Sequence, residues 1–286
     1  MPRQIENAIE AIGELKALDG ICSKAAALVH RVTRTEVVKN ALSGTWLGHP
    51  LHPALSDLPI GAWVMASALD ATAGTAGAGA ARRLVGLGLI AAAPTAAAGA
   101  SDWSDTYGPT QRAGYVHAVS NTVGTALQAA SWLARRRGYH GAGAALSGTG
   151  LAITLCAAYL GGHLSFVRGV GVNHAAFQEP VTEWTEVAPL SALSDDTPLK
   201  VTAGSVPVVL ARHDGEIYAL SSTCTHAGGP LDKGTVDRDG CIRCPWHGSL
   251  FRLADGKALR GPASVGEPCW DVKIDNARVY VRSATA

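Results

Sequence analysis

Residues 84–100, 114–134 and 141–162 of this chain contain no aspartate, glutamate, lysine or arginine, and residues 58–80 contain only Asp70. A helix in water needs a charged or strongly polar face. Runs of 17 to 23 residues with at most one charge instead match the thickness of a bilayer's hydrocarbon core. The pattern predicts an all-α bundle of four transmembrane helices, at about 58–80, 84–100, 114–134 and 141–162, in a domain spanning 46–163. Its richness in alanine and glycine permits close helix approach. A soluble bundle is the competing reading, and the missing charged faces speak against it. Charged residues are only 16% of a 286-residue chain whose length suits two domains, so one domain in lipid accounts for the low charge.

Ahead of the runs, Ile5, Ala8, Ile9, Ile12, Leu15 and Leu18 recur at three- and four-residue spacing, with Glu6, Glu10, Glu14 and Lys16 elsewhere around the wheel. This predicts amphipathic helices over 1–45, the second from about Ser23 to Val38. Cys22 and His30 need no functional role there. In the stretch WLGHPLHPALSDLPIGAW, prolines at 50, 53 and 59 oppose one regular helix, so His49 and His52 are expected in an ordered lead-in segment. Four crossings would put both termini on one side of the membrane, together with His49, His52, His117, His163 and the loop 101–112. Ionisable groups at membrane depth are rare and usually functional. His52, His117 and His163 could ligate haem b, bind a separate metal ion, take the proton of a quinol, or tie helix ends together through backbone hydrogen bonds.

Residues 164–197 read as a linker. From Leu199 the period changes to two, in LKVTA, VPVVLAR, EIYAL, CIRC, WDVKI and VYVRS, separated by Asp214-Gly215, Asp239-Gly240, Asp255-Gly256 and Asp275-Asn276. These are hairpin signals, and they predict a small all-β domain over 198–286.

Within it lies Cys224-Thr225-His226 and, after 17 intervening residues, Cys244-Pro245-Trp246-His247. Two thiols and two imidazoles could surround one zinc ion. Alternatively, two thiolates could hold one iron of a [2Fe–2S] cluster and two imidazoles the other. Each pair here mixes Cys with His, whereas zinc fingers usually keep them apart. Cys241 forms a C-x-x-C with Cys244 but falls on the strand leading in.

CTHAGGPL and CPWHGS resemble the two cluster-binding boxes of Rieske iron–sulfur proteins. GHPLHPALSDLPIGAW, with Asp70, resembles a bacterial family of four-helix membrane domains of unknown function, some of which occur fused to Rieske domains; that likeness covers roughly 40–175. The first resemblance implies one [2Fe–2S] cluster per chain, with Cys224 and Cys244 on the buried iron and His226 and His247 on the outer one. Gly229 and Trp246 occupy the positions of a loop disulfide found in the quinol-oxidising branch, so the site is similar to the ferredoxin-type branch. Ser249 matches a serine that donates to a bridging sulfide, while Phe251 replaces a tyrosine of similar role. Ser249 and Trp246 are thus expected beside the cluster, with an intermediate potential inside the ~ −150 to +300 mV Rieske span. Gly261-Pro262 would match the family's third, covering loop.

The expected function is a membrane-anchored protein transferring single electrons between a membrane carrier, quinol or haem, and a partner. A cluster-based redox sensor coupled to the membrane domain is the alternative. An oxygenase is not expected, because the 39 residues after His247 contain no histidine for a mononuclear iron. Expected partners are membrane lipid and a redox partner protein or quinone, and a homo-oligomer is compatible with the sequence. A net charge of +1 gives no basic field for nucleic acid. The expected location is a bacterial cell membrane, crossed several times. Arg82, Arg83, Arg135, Arg136 and Arg137 favour cytoplasmic loops opposite the termini; the missing export signal and missing disulfide favour a cytoplasmic Rieske domain, which is the reading adopted.

Overall fold

The long uncharged stretches form three helices, α4 (Leu51–Ser104), α5 (Gly108–Arg136) and α6 (His140–Phe166), preceded by α1 (Arg3–Gly13), α2 (Asp19–Val32) and α3 (Glu36–Ser43). The structure, a computed structural model, describes residues 3–284; Met1, Pro2, Thr285 and Ala286, the outer ends of the expected 1–45 and 198–286 segments, lie outside the described residues. Two units result: Met1–Arg34 with Leu51–Val170, and Thr35–Pro50 with Gly171–Ala286.

In the helical unit, Gly74 interrupts α4 with φ 51° and ψ −129°. Only a residue without Cβ takes that conformation cheaply. The two arms fold back on each other. The Trp63 indole donates to the Val85 carbonyl at 3.4 Å and lies on Gly88, while Ala66, Ala81 and Val85 are buried together. The expected break between 80 and 84 is thereby corrected: Arg82 and Arg83 are helical, and the reversal falls at Gly74 because a positive φ selects glycine while an arginine pair does not end a helix. Helix α5 and α6 also extend beyond the expected 114–134 and 141–162 at both ends.

The lead-in segment is corrected too, since α4 begins at Leu51 and His52 lies in its first turn. Pro53 is tolerated there because first-turn amides have no helical partner. Pro59, further in, leaves the Leu55 carbonyl without its usual donor. The Thr95 hydroxyl supplies one at 3.3 Å while also reaching the Ala91 carbonyl at 2.8 Å.

One part of this unit's interior is polar, and several large apolar side chains face outward. Arg135, with a side chain 0% exposed, sends Nη1 and Nη2 to the two Asp70 oxygens at 2.8 and 2.5 Å and Nε to Ser131 Oγ at 3.1 Å. Ser131 donates onward to the Gly143 carbonyl at 2.6 Å, and the Gln128 and Ser147 side chains, both buried, bond each other at 2.8 Å. Residues 128, 131 and 135 share one face of α5. Leu87, Ile90, Val119, Val123, Leu133 and Leu155 are exposed. By length and composition α4 and α6 are apolar enough to cross a membrane. Helix α5, expected as the third crossing, is not among them, and its inward groups are the polar ones.

Glycines admit the large rings. A Cβ built on Gly88 would lie 2.3 Å from Trp63 Nε1, whereas one on Gly79 meets nothing within 4 Å. Gly88→Ala should therefore destabilise by about 1–3 kcal/mol, and Gly79→Ala should be neutral or slightly stabilising. Thermal unfolding in detergent checks this; equal melting temperatures would refute the ring-on-glycine packing.

Helices α1 and α2 belong to the same unit. Ile9 packs with Ala113, Leu160 and Leu164. Arg112 joins the two by donating to the Gly13 carbonyl at 2.6 Å and to Asp19 at 2.6 and 3.1 Å. That hydrogen bond holds the exposed Asp19 carboxyl below its usual range.

The second unit is all-β apart from α3 and short 3₁₀ turns. Its antiparallel strands are β1 (Thr185–Pro189), β2 (Leu199–Ala203), β3 (Val206–His213), β4 (Glu216–Ser221), β5 (Thr235–Val236), β6 (Cys241–Arg243), β7 (Leu250–Arg252), β8 (Ala258–Arg260), β9 (Trp270–Asp275) and β10 (Arg278–Ser283). They form sheets ordered β1-β10-β9, β2-β3-β4 and β5-β6-β7-β8. Strand β3 is covered on both sides. Val208 and Leu210 enter one core with Val279 and Val281, and Val209 and Ala211 enter another with Ile242 and Phe251, as a period of two requires. Two expectations are corrected here. Residues 185–189, placed in the 164–197 linker, are a strand pairing with β10, and the last hairpin turns at Asn276-Ala277, because Asp275 still pairs with Arg278.

Candidate metal centre

The second core leads to two loops of one design. After β4, Cys224 N–H donates to the Gly229 carbonyl and the Cys224 carbonyl accepts from Gly228, both at 2.8 Å. After β6, Cys244 N–H donates to the Ser249 carbonyl at 2.8 Å and its carbonyl accepts from Gly248 at 3.1 Å. Each loop closes through a glycine at φ 74°, which explains Gly228 and Gly248. Cysteine stands at the buried root of each loop, at 1% and 2% exposure, and histidine near its rim.

The loops bring like donors together. Cys224 and Cys244 share a hydrogen bond that, with burial, pushes the Cys224 thiol up. The same bond, then the amides of Trp246 and His247, holds Cys244 down to about 6. The His226 and His247 rings lie 4.9 Å apart, edge to face. Among the described residues no three His, Cys, Asp or Glu side chains gather as a single-ion site would demand. Thiol sits with thiol and imidazole with imidazole, a donor set that fits two irons better than one zinc.

The surroundings explain two residue choices. A Cβ on Gly229 would lie 2.8 Å from Cys244 Sγ and 3.2 Å from the Trp246 ring, so Trp246 covers the position facing it. Trp246 is itself 55% exposed. Ser249, fully buried, accepts from Ala263 N–H at 3.0 Å, and Arg260 Nη1 joins the Gly248 and Gly261 carbonyls at 2.9 and 3.1 Å. Glu267, not singled out by its sequence context, takes the Thr225 N–H at 2.7 Å and is pushed up to about 8 by burial. At neutral pH that keeps further negative charge from the thiol pair. His174 N–H bonds the Thr225 carbonyl at 3.1 Å. Cys241 and Cys269 stand apart, each near a backbone carbonyl.

Residues 183–273 match the Rieske [2Fe-2S] domain, and residues 48–174 a predicted membrane protein family, DUF2231. Ferredoxin CarAc of Metapseudomonas resinovorans is 32% identical over 99 residues, 34% of this chain and 92% of that protein. The chain belongs to the Rieske [2Fe–2S] family. The ferredoxin component of the naphthalene 1,2-dioxygenase system of Pseudomonas putida is 34% identical over 100 residues, 35% of this chain and 94% of its own. Human apoptosis-inducing factor 3 is 39% identical over 85 residues, but the chain spans only 14% of that protein. The Rieske domain implies a [2Fe–2S] cluster, and the chain also carries a DUF2231 domain.

Of the histidines expected at the membrane boundary, the structure brings two together. The His52 and His117 rings lie 6.4 Å apart, seated against Gly99 and Gly161. His52 Nδ1 pairs with the Thr95 carbonyl at 2.9 Å and His117 Nδ1 with that of Ala157 at 2.8 Å, while Asn121 Nδ2 lies 3.2 Å from His117 Nε2. Both ring nitrogens of His117 thus lie in hydrogen-bond contacts, and the haem b expectation finds no support. His163 is buried on α6, with Arg168 Nε 3.5 Å from its Nε2.

Proposed function

We propose that this protein is a membrane-anchored Rieske electron carrier of ferredoxin type, passing single electrons from a membrane carrier of the quinol class to a partner protein. The sorting of four donors into a buried thiol pair and an imidazole pair near the rim carries this reading. Cys224 and Cys244 would hold one iron and His226 and His247 the other, one cluster per chain. When bound, the cluster supplies reversible one-electron chemistry within the Rieske span. The chain does the rest. Its thiols are buried, backbone amides of Trp246 and His247 point at the Cys244 sulfur, and the exposed Trp246 beside His247 offers a partner an aromatic contact.

That CarAc is a ferredoxin and the Pseudomonas putida relative the ferredoxin component of a naphthalene 1,2-dioxygenase system supports a protein acceptor here. The two arms of α4, with α5 and α6, would make four crossings of a bacterial membrane. The outward-facing Leu87, Ile90, Val119, Val123, Leu133 and Leu155, with the ion pair of Arg135 turned inward, support this. We place the Rieske domain in the cytoplasm. Burial of Arg135 against Asp70 removes one of the five arginines that argued otherwise, and the thiols are free. His52, with Nδ1 on the Thr95 carbonyl, keeps Nε2 as a base for a quinol's proton.

Stopped-flow mixing of the oxidised protein in liposomes with a quinol analogue tests the carrier role. Bleaching of the cluster absorbance at a rate that saturates with quinol is expected. A cluster that dithionite bleaches and the quinol does not would overturn the quinol assignment.

A further inference from the structure

Helix α3 precedes the membrane domain in sequence, yet it belongs to the Rieske unit. Asn40 on it makes two hydrogen bonds to one stretch of backbone: Nδ2 donates to the Leu259 carbonyl at 2.8 Å, and Oδ1 accepts from Gly261 N–H at 2.8 Å. A primary amide carries donor and acceptor side by side, as a neighbouring strand would. Asn40 therefore caps the edge strand β8, whose outer backbone groups would otherwise stand unpaired. Thr45 Oγ1 donates to the Ala263 carbonyl at 3.0 Å, and a Cβ on Gly261 would lie 2.8 Å from Ser43 Oγ. Asn40 and Thr45, two side chains of one short segment, thus hold residues 259–263, and Ser43 packs against Gly261.

That stretch holds Ser249 in turn. Ala263 N–H donates to Ser249 Oγ at 3.0 Å, so the Ser249 oxygen is anchored and its own proton is aimed elsewhere. We propose that Asn40 and Thr45 are positioning residues for the cluster: they latch residues 259–263 in place and, through Ala263, fix the Ser249 hydroxyl as a donor to the cluster that raises its potential. The inference rests on the Rieske reading above. Donors to cluster sulfurs favour the reduced state, and the groups that orient them matter for the same reason. The segment leading into the membrane domain is thereby a working part of the redox domain.

The test is an EPR-monitored potentiometric titration of the full chain as wild type, Asn40→Leu, Thr45→Val, Ser249→Ala and the Asn40→Leu/Ser249→Ala double variant. Asn40→Leu is expected to lower the midpoint potential and shift the reduced-state g values at unchanged iron content. The double variant should sit no lower than Ser249→Ala alone, because Asn40 acts through Ser249. An unmoved potential in loaded Asn40→Leu, or additive shifts in the double variant, overturns the latch. Should Asn40→Leu fail to load, Thr45→Val decides, since it removes one hydroxyl at near-constant volume. A smaller shift in the same direction supports the latch and no shift refutes it. A wild type without a cluster signal would count against the Rieske reading itself, and a loaded wild type with unmoved variants against the latch alone.

Discussion

Alanine at any one of Cys224, Cys244, His226 or His247 should leave a folded chain whose iron content is at least about tenfold below wild type, because residues that merely orient metal ligands already cost 10–100-fold in affinity when changed. The effect should be sharply local. Cys241→Ala and Cys269→Ala, whose thiols lie near the Asp239 and Glu267 carbonyls, are expected to keep full iron. Iron and acid-labile sulfide assays on anaerobically purified protein separate the two groups. Loss of iron in Cys241→Ala with retention in Cys224→Ala would show that the Cys241/Cys244 pair is the metal site and that the loop equivalence is misread.

The second large effect lies in the helical domain. Arg135→Leu strands the Asp70 carboxyl among helices, and breaking a buried pair by removing one partner costs about 3–5 kcal/mol. Arg135→Leu/Asp70→Leu should recover most of that loss, since apolar residues of similar volume replace such pairs at little cost. Unfolding in detergent followed by circular dichroism reads both. A double variant as unstable as the single one would mean that Arg135 acts through Ser131 and the Gly143 carbonyl rather than through Asp70.

What could be read from the sequence was local. The Cys/His loops are legible because their donors, their glycines at positive φ and their closing hydrogen bonds all lie within six consecutive residues. The strands from Leu199 onward show a period of two for the same reason. Strand β1 was hidden, being five residues long, ending in proline and pairing with β10 at the far end of the domain. Gly74 is one of several glycines in an alanine-rich run, and nothing nearby marks it as the reversal. Asp70 was conspicuous as a lone charge, yet its partner read as a loop arginine, because a sequence does not show a long side chain turning back into a bundle. Asn40 gave no signal at all, since its partner Leu259 is 219 positions away.

The central claim is that the two loops hold a cluster ligated by two thiolates and two imidazoles. Low-temperature EPR of anaerobically purified protein, before and after dithionite, tests it most directly. The account predicts an EPR-silent oxidised state and, on reduction, a rhombic signal whose average g lies well below the free-electron value, with two irons per chain. Protein that contains zinc and stays EPR-silent after reduction would contradict it.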